Sequence, residues 1–81
     1  MKLTDREIEI MQHATAWTHE RNPLYRNRFS PGGSDVAICK RLAQHGLMRP
    51  SNLNDPLTPY SVTDEGLARL LLHERAQKSL R

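Results

Sequence analysis

The sequence lacks long hydrophobic runs and has a single cysteine. The leucine run at residues 70–72 is bounded by charged or polar neighbours, and no apolar run approaches the roughly 20 residues needed to cross a membrane. The first seven residues carry four charges, which is untypical of a signal peptide. Cys39 is the only cysteine, so no disulfide forms within the chain. We therefore expect a cytoplasmic protein with no membrane segment.

The sequence also lacks the motifs that most metal sites and active sites need. Cys39 and His45 lie six positions apart, as do His13 and His19, and this spacing does not place either pair on one face of a helix. No Gly-Lys-Ser/Thr follows the glycines at 32–33, so they are not a phosphate-binding loop. We therefore expect no enzymatic activity, no metal ion and no cofactor, and we expect Cys39 to be a small core residue.

Length and composition indicate one small globular domain. The chain has 81 residues, of which 37% are hydrophobic and 26% charged, a balance typical of a folded protein and not of a disordered tail. A chain of this length buries only about 60% of its unfolded surface, so association with a further chain would supplement the core. We expect the domain to span residues 1–81, with residues 77–81 as a frayed tail.

Positive charge is concentrated in the middle of the chain. Residues 21–49 hold six Lys or Arg and one Asp, whereas residues 50–65 hold three acidic residues and no basic one. A basic segment can attract phosphate groups or an acidic protein surface. An ordinary solvated surface is the competing interpretation, because the formal net charge is only +3.

The first helix has a recognisable start and end. Residues 4–7, Thr-Asp-Arg-Glu, match a capping box, in which Thr4 and Glu7 exchange hydrogen bonds between side chain and backbone. Apolar residues that follow cover about half of the helix circumference. The helix is expected to end near Glu20, because Pro23 cannot continue it.

Residues 22–29 have two possible structures. Asn22 followed by Pro23 is typical of the N-cap and first residue of a short helix. The alternation of Tyr25, Asn27 and Phe29 with Arg26 and Arg28 is instead typical of a short strand. In either case the Ser-Pro-Gly-Gly sequence at 30–33 predicts a turn.

A helix, a hairpin and a final helix are predicted for the rest of the chain. Ser34 is the predicted N-cap of a helix over 35–45, and Gly46 is the left-handed residue that ends it. Short strands at 47–49 and 60–62 flank a loop rich in turn-forming residues. Thr63 is the predicted cap of the last helix, whose first turn is acidic.

Residues 34–70 resemble the second half of a winged helix-turn-helix protein of the MarR type. The positions that carry the resemblance are Leu42, Gly46, Leu47, Arg49, Val62, Thr63 and Gly66. The sequence LTDREIEIM resembles the first helix of the same family, and YRNRF-SPGGSD resembles small proteins of phages and mobile elements. The resemblance implies a mainly α fold with a small antiparallel β-hairpin (α+β), a winged helix-turn-helix.

The chain departs from that family in two ways. Residues 22–33 leave room only for a short helix before the recognition helix. The wing of the family usually carries Arg or Lys for the minor groove, whereas residues 50–59 contain neither and include Asp55. Both departures weaken the implied binding of DNA, above all through the wing.

The outward face of helix 35–45 is the main candidate binding site. An α-helix fits the major groove of B-DNA, where Arg, Lys and Gln pair with base edges or phosphates. The residues predicted on this face, together with the serine at the helix start, are Ser34, Ala37, Lys40, Arg41 and Gln44. An ordinary solvated helix surface is the alternative.

A second candidate lies just before this helix. Tyr25, Arg26 and Arg28 combine aromatic and basic side chains, which suits phosphate contact and base stacking, or equally a protein interface. Phe29 is more simply a core residue. Arg49, at the end of the first predicted strand, completes the candidate set.

Two functions are consistent with this sequence. The first is a small DNA-binding regulator of phage or mobile-element type, which could form a homodimer through its terminal helices, including the leucine-rich helix 64–76. The alternative is a winged-helix protein that binds a host protein complex and inhibits or redirects it, as an anti-CRISPR or other anti-defence inhibitor does. If it is encoded by a phage, its compartment is the cytoplasm of the host cell.

Overall fold

The residues that the structure describes fold into three helices and a two-stranded sheet. In the computed structural model, residues 2–15, 27–55 and 57–79 are described. The elements follow in the order α1 (Asp5–Thr15), α2 (Asp35–Gln44), β1 (Met48–Pro50), β2 (Tyr60–Val62) and α3 (Asp64–Ser79). The two strands are antiparallel neighbours. The predicted fold class is therefore confirmed: a mainly helical α+β fold with a small hairpin, consistent with a winged helix.

Helix α1 begins at the predicted capping box. The Thr4 hydroxyl accepts the Glu7 amide N–H at 3.1 Å, and the Glu7 Oε1 accepts the Thr4 N–H at 2.8 Å. Ile10 and Met11 are fully buried on the inner face of the helix. The predicted extension of this helix to Glu20 lies outside the described residues.

Residues 27–29 run beside β2 and extend the sheet by a short segment. Phe29 and Tyr60 exchange two backbone hydrogen bonds of 2.8 Å each. The Asn27 side chain does the same at Val62: its Oδ1 accepts the Val62 N–H at 2.6 Å and its Nδ2 donates to the Val62 carbonyl at 2.8 Å. The described end of the segment 22–29 is therefore extended, as the strand interpretation expects, while residues 22–26 lie outside the described part.

Helix α2 does not begin with the predicted serine cap. Ser34 has helical backbone angles, φ −67° and ψ −18°, and its side chain makes no capping hydrogen bond. An N-cap hydroxyl reaches the helix amides from an extended backbone, so the prediction for Ser34 is wrong. The amides of Asp35 and Val36 instead donate to the carbonyls of Gly32 and Gly33, at 3.1 and 3.3 Å.

The end of α2 follows the sequence prediction. Gly46 has a φ of +76°, which an L-residue with a side chain rarely adopts. Its N–H donates to the Ala43 carbonyl at 3.0 Å, and the Leu47 N–H donates to the Leu42 carbonyl at 2.9 Å. These two bonds form a Schellman motif, which stops the helix and directs the chain into β1.

The hairpin leads directly into α3. Met48 pairs with Val62, and Pro50 with Tyr60. The Thr63 hydroxyl accepts the Gly66 N–H at 3.1 Å, which confirms its predicted role as a cap, and it also donates to the Gly46 carbonyl at 2.5 Å. One hydroxyl therefore joins the end of α2 to the start of α3.

The core lies between the helices and the inner face of the sheet. Its largest fully buried apolar side chains are those of Ile10, Met11, Cys39, Leu42 and Leu70. Burial raises the pKa of the Cys39 thiol to about 11, and the nearby Asp35 carboxylate adds to the effect. Cys39 is thus a protonated core residue, as predicted. Across the described ranges, no helix has the length and apolar character to cross a membrane.

Candidate binding surface

The outer face of α2 carries the residues that the sequence places there. Cys39 and Leu42 are buried beneath the helix. The residues on the opposite face are all exposed: Ala37, Lys40, Arg41 and Gln44, with Ser34 exposed at the helix start. The amphipathic pattern therefore places these side chains in solvent, where they are available to a binding partner.

An open groove of about 950 Å³ borders this face. It runs between the second half of α2, the hairpin and the first turn of α3. Lys40, Gln44 and Arg49 all line it, so the structure brings together residues from α2 and β1. The remaining predicted residues of α2, Ala37 and Arg41, do not line this groove.

Arg41 lies at the other edge of α2, where it contacts a buried carboxylate. Its Nε is 3.5 Å from Oε2 of Glu7, whose side chain is 3% exposed. The Glu7 Oε1 accepts the capping hydrogen bond from Thr4, but Oε2 has no hydrogen-bond partner within the described structure. Arg41 therefore compensates a buried charge, and only part of its own charge is available to a ligand.

The sequence analysis missed this contact. Glu7 is fully explained in the sequence by the capping box, which uses one carboxylate oxygen. The signal that the sequence offers is the second carboxylate oxygen of Glu7. Glu7 lies on a helix face that is otherwise apolar, so this oxygen requires a cation from elsewhere in the chain. Lys40 and Arg41 are both predicted on the exposed face of α2. Only the packing of α1 against α2 determines that Arg41 is the one that contacts Glu7.

We expect Arg41→Ala to lower the free energy of unfolding by about 1 kcal/mol, and Lys40→Ala to change it by less than about 0.5 kcal/mol. The reason is that loss of Arg41 leaves the Glu7 carboxylate buried without a cation, whereas Lys40 is exposed. Urea unfolding followed by circular dichroism measures both values. Equal losses for the two variants would show that the Glu7 contact contributes nothing.

A second set of ion pairs connects α1 to the start of α2. Arg6 donates to both Asp35 carboxylate oxygens, at 2.7 Å from Nη2 and 3.3 Å from Nε, and Nη1 reaches Glu9 at 3.3 Å. The hydrogen bonds to Asp35 raise the pKa of Arg6. Asp35, which directly follows Ser34 in the first turn of α2, is therefore a carboxylate paired with Arg6.

The loop between the strands exposes two leucine side chains and one aspartate. Leu53 and Leu57 are 87% and 72% exposed, and Asp55 is exposed between them. Asp64 and Glu65, from the first turn of α3, line the groove together with Asp55. The lining of the groove therefore includes three carboxylates as well as Lys40 and Arg49.

The second candidate cluster is described only in part. Tyr25 and Arg26 lie outside the described residues. Arg28 is exposed, and its backbone N–H donates to the Ala14 carbonyl at 3.0 Å. Phe29 packs against the core and meets the His13 ring edge-on with the ring centroids 5.7 Å apart, which confirms it as a core residue. Arg28 does not line the groove.

No group of three or more potential metal-ligating residues occurs in the portion of the chain that the structure describes. Comparisons with models of protein families, with characterised proteins and with solved structures found no match to this chain. The case for a function therefore rests on the surfaces described above.

Proposed function

We propose that this protein is a non-enzymatic, cytoplasmic binding module that contacts DNA through the exposed face of α2. The observation that supports this proposal is that Lys40 and Gln44 from α2 and Arg49 from β1 line the same open groove. Lys and Arg bind backbone phosphates, and Gln pairs with base edges in the major groove. Helix α2 is the element that enters the groove of the DNA, and Arg41 contributes from its other edge.

Charge determines how the DNA must approach. The hairpin loop and the start of α3 contribute Asp55, Asp64 and Glu65 to the lining of the groove, and these carboxylates repel phosphates. A duplex is therefore accommodated on the α2 side and kept away from the loop. With so few cations at the surface, we expect weak binding with a modest salt dependence, because the salt slope scales with the number of phosphates contacted.

The test is a titration of a fluorescent duplex of random sequence with the protein at several salt concentrations. The double variant Lys40→Ala/Arg49→Ala is expected to bind at least tenfold more weakly, and the slope of log K against log salt is expected to fall by about 2, because two phosphate contacts are lost. Lys2→Ala is the control, since Lys2 is exposed and is not among the residues that line the groove.

Two results would count against the proposal. The first is a double variant with the affinity and salt slope of the unmodified protein. The second is no measurable binding by the unmodified protein at about 50 mM salt, where phosphate contacts are strong.

A second candidate function is binding to a host protein complex, with inhibition or redirection as the outcome. The three carboxylates that Asp55, Asp64 and Glu65 contribute to the groove favour it, since a basic protein surface complements these residues better than DNA does. If neither the unmodified protein nor the Lys2→Ala control binds DNA, this second candidate is favoured.

A further inference from the structure

Basic side chains lie on both edges of α2. Lys40 lines the groove on one edge, whereas Arg41 does not line it and contacts Glu7 of α1 instead. An α-helix that enters the major groove of a duplex has a phosphate backbone on each side. Arg41 is therefore placed to meet the backbone on the α1 side of the helix.

A second arginine at the boundary between α1 and α2 is already engaged. Arg6 pairs with Asp35 at 2.7 Å and with Glu9 at 3.3 Å. Arg41 makes one ion pair with the described residues, at 3.5 Å from its Nε to Oε2 of Glu7, and no hydrogen bond to any of them. Its terminal nitrogens, Nη1 and Nη2, therefore remain available as donors.

Glu7 is itself held in place from two sides. Its Oε1 accepts the Thr4 N–H at 2.8 Å, and its own N–H donates to the Thr4 hydroxyl at 3.1 Å. The other carboxylate oxygen, Oε2, is buried and has no hydrogen-bond partner within the described ranges. Removing the cation beside a buried carboxylate is costly, so this oxygen favours one orientation of the Arg41 guanidinium.

We propose that Glu7 is a positioning residue for DNA binding: it holds Arg41 on the Nε side, so that Nη1 and Nη2 face solvent and bind a backbone phosphate. This inference rests on the proposed function. An arginine side chain loses rotamer freedom when it binds, and a contact that orders it beforehand reduces that loss. The terminal nitrogens of a guanidinium match two oxygens of one phosphate.

The negative charge of Glu7 acts in the opposite direction. It repels a phosphate bound to Arg41 and on its own would weaken binding. The Arg41 side chain is 56% exposed, however, and that of Glu7 is 3% exposed, so a phosphate reaches the guanidinium from solvent, with the carboxylate behind it. Water and salt screen the repulsion across the guanidinium. We therefore expect positioning to be the larger effect.

A double-mutant cycle separates positioning from charge. Glu7→Gln keeps the capping bond and removes the charge. We expect it to weaken binding of the fluorescent duplex of random sequence about threefold when Arg41 is present, and by less than about 1.5-fold in the Arg41→Ala background. A charge effect alone would strengthen binding in both backgrounds, and an effect on folding alone would weaken it in both.

Glu9→Gln is the matched control, because it removes the same charge from an exposed position of α1. The ion pair of Arg41 is with Glu7 and not with Glu9, so this control should bind no more weakly than the unmodified protein. Circular dichroism confirms that each variant is folded at the temperature of the titration.

The outcomes distinguish this inference from the proposed function. Binding by Glu7→Gln that is unchanged or tighter, or equal weakening with and without Arg41, overturns the inference. The proposed function survives that result if Lys40→Ala/Arg49→Ala still weakens binding. An unmodified protein that binds no duplex at about 50 mM salt overturns both.

NMR of the free protein adds a measurement that needs no DNA. The Nε–H signal of Arg41 reports on the group that faces the carboxylate. We expect this signal to shift in Glu7→Gln and to stay in place in Glu9→Gln. An Arg41 signal that is identical in Glu7→Gln and in the unmodified protein overturns the inference, because the guanidinium is then not held by Glu7.

Discussion

Replacement of Gly66 by alanine is expected to lower the free energy of unfolding by about 3 kcal/mol, a large part of the stability of so small a domain. A Cβ at this position would collide with the backbone carbonyl of Leu47 and with Cγ1 of Val62. The carbonyl cannot move away by a side-chain rotation, so α3 would have to shift from the hairpin. The gain of about 1 kcal/mol in helix propensity does not offset this shift.

Thermal unfolding measures the effect, with an expected fall of about 15 °C in Tm. Gly32→Ala is the matched control, since nothing lies within 4 Å of a Cβ built there, and it should change Tm by no more than a few degrees. If Gly66→Ala were as stable as the control, α3 and the hairpin would not be packed as closely as described.

The second large effect is expected for Asn27→Ala, at about 2 kcal/mol. The Asn27 amide satisfies both backbone groups of Val62, at 2.6 and 2.8 Å, and alanine leaves both without their partner. Unlike the hydrogen bonds at Phe29, these two depend on a side chain. A single substitution therefore removes one of the two attachments that hold residues 27–29 to β2.

Comparing the chemical unfolding of Asn27→Ala with that of Asn54→Ala separates this effect from the general cost of losing an asparagine. Asn54 is exposed, so its replacement should cost less than about 0.5 kcal/mol. Hydrogen exchange at the Val62 amide should accelerate in the first variant only. An unaltered exchange rate at Val62 would argue against the side-chain pairing.

The features that local sequence determines were predicted well. Thr4, Gly46 and Thr63 act on backbone groups within three or four residues of themselves, so their neighbours in sequence suffice to assign them. Ser34 shows the limit of this reasoning. Its sequence context fits an N-cap, but the preceding glycines supply the first carbonyls and the serine itself takes a helical conformation.

The contacts between distant segments were not predictable from periodicity. The sequence places Arg41 on the exposed face of α2, but its neighbour Glu7 lies on another helix, and the angle between the helices decides which residues meet. Asn27 is a similar case, because its partner is 35 residues away. The groove likewise joins α2, the hairpin and α3, which no single helical or strand pattern can show.

The contact between Glu7 and Arg41 also limits how this chain can diverge. Glu7 forms the cap of α1 together with Thr4, and its carboxylate also contacts Arg41 on α2. A change at position 7 or 41 therefore alters the environment of the other residue. Glutamine at position 7 keeps the capping bond without the buried charge, and only then can position 41 become uncharged at little cost. Substitutions at positions 7 and 41 are therefore expected to be energetically coupled, so that the effect of removing Arg41 on the free energy of unfolding is smaller once position 7 is glutamine.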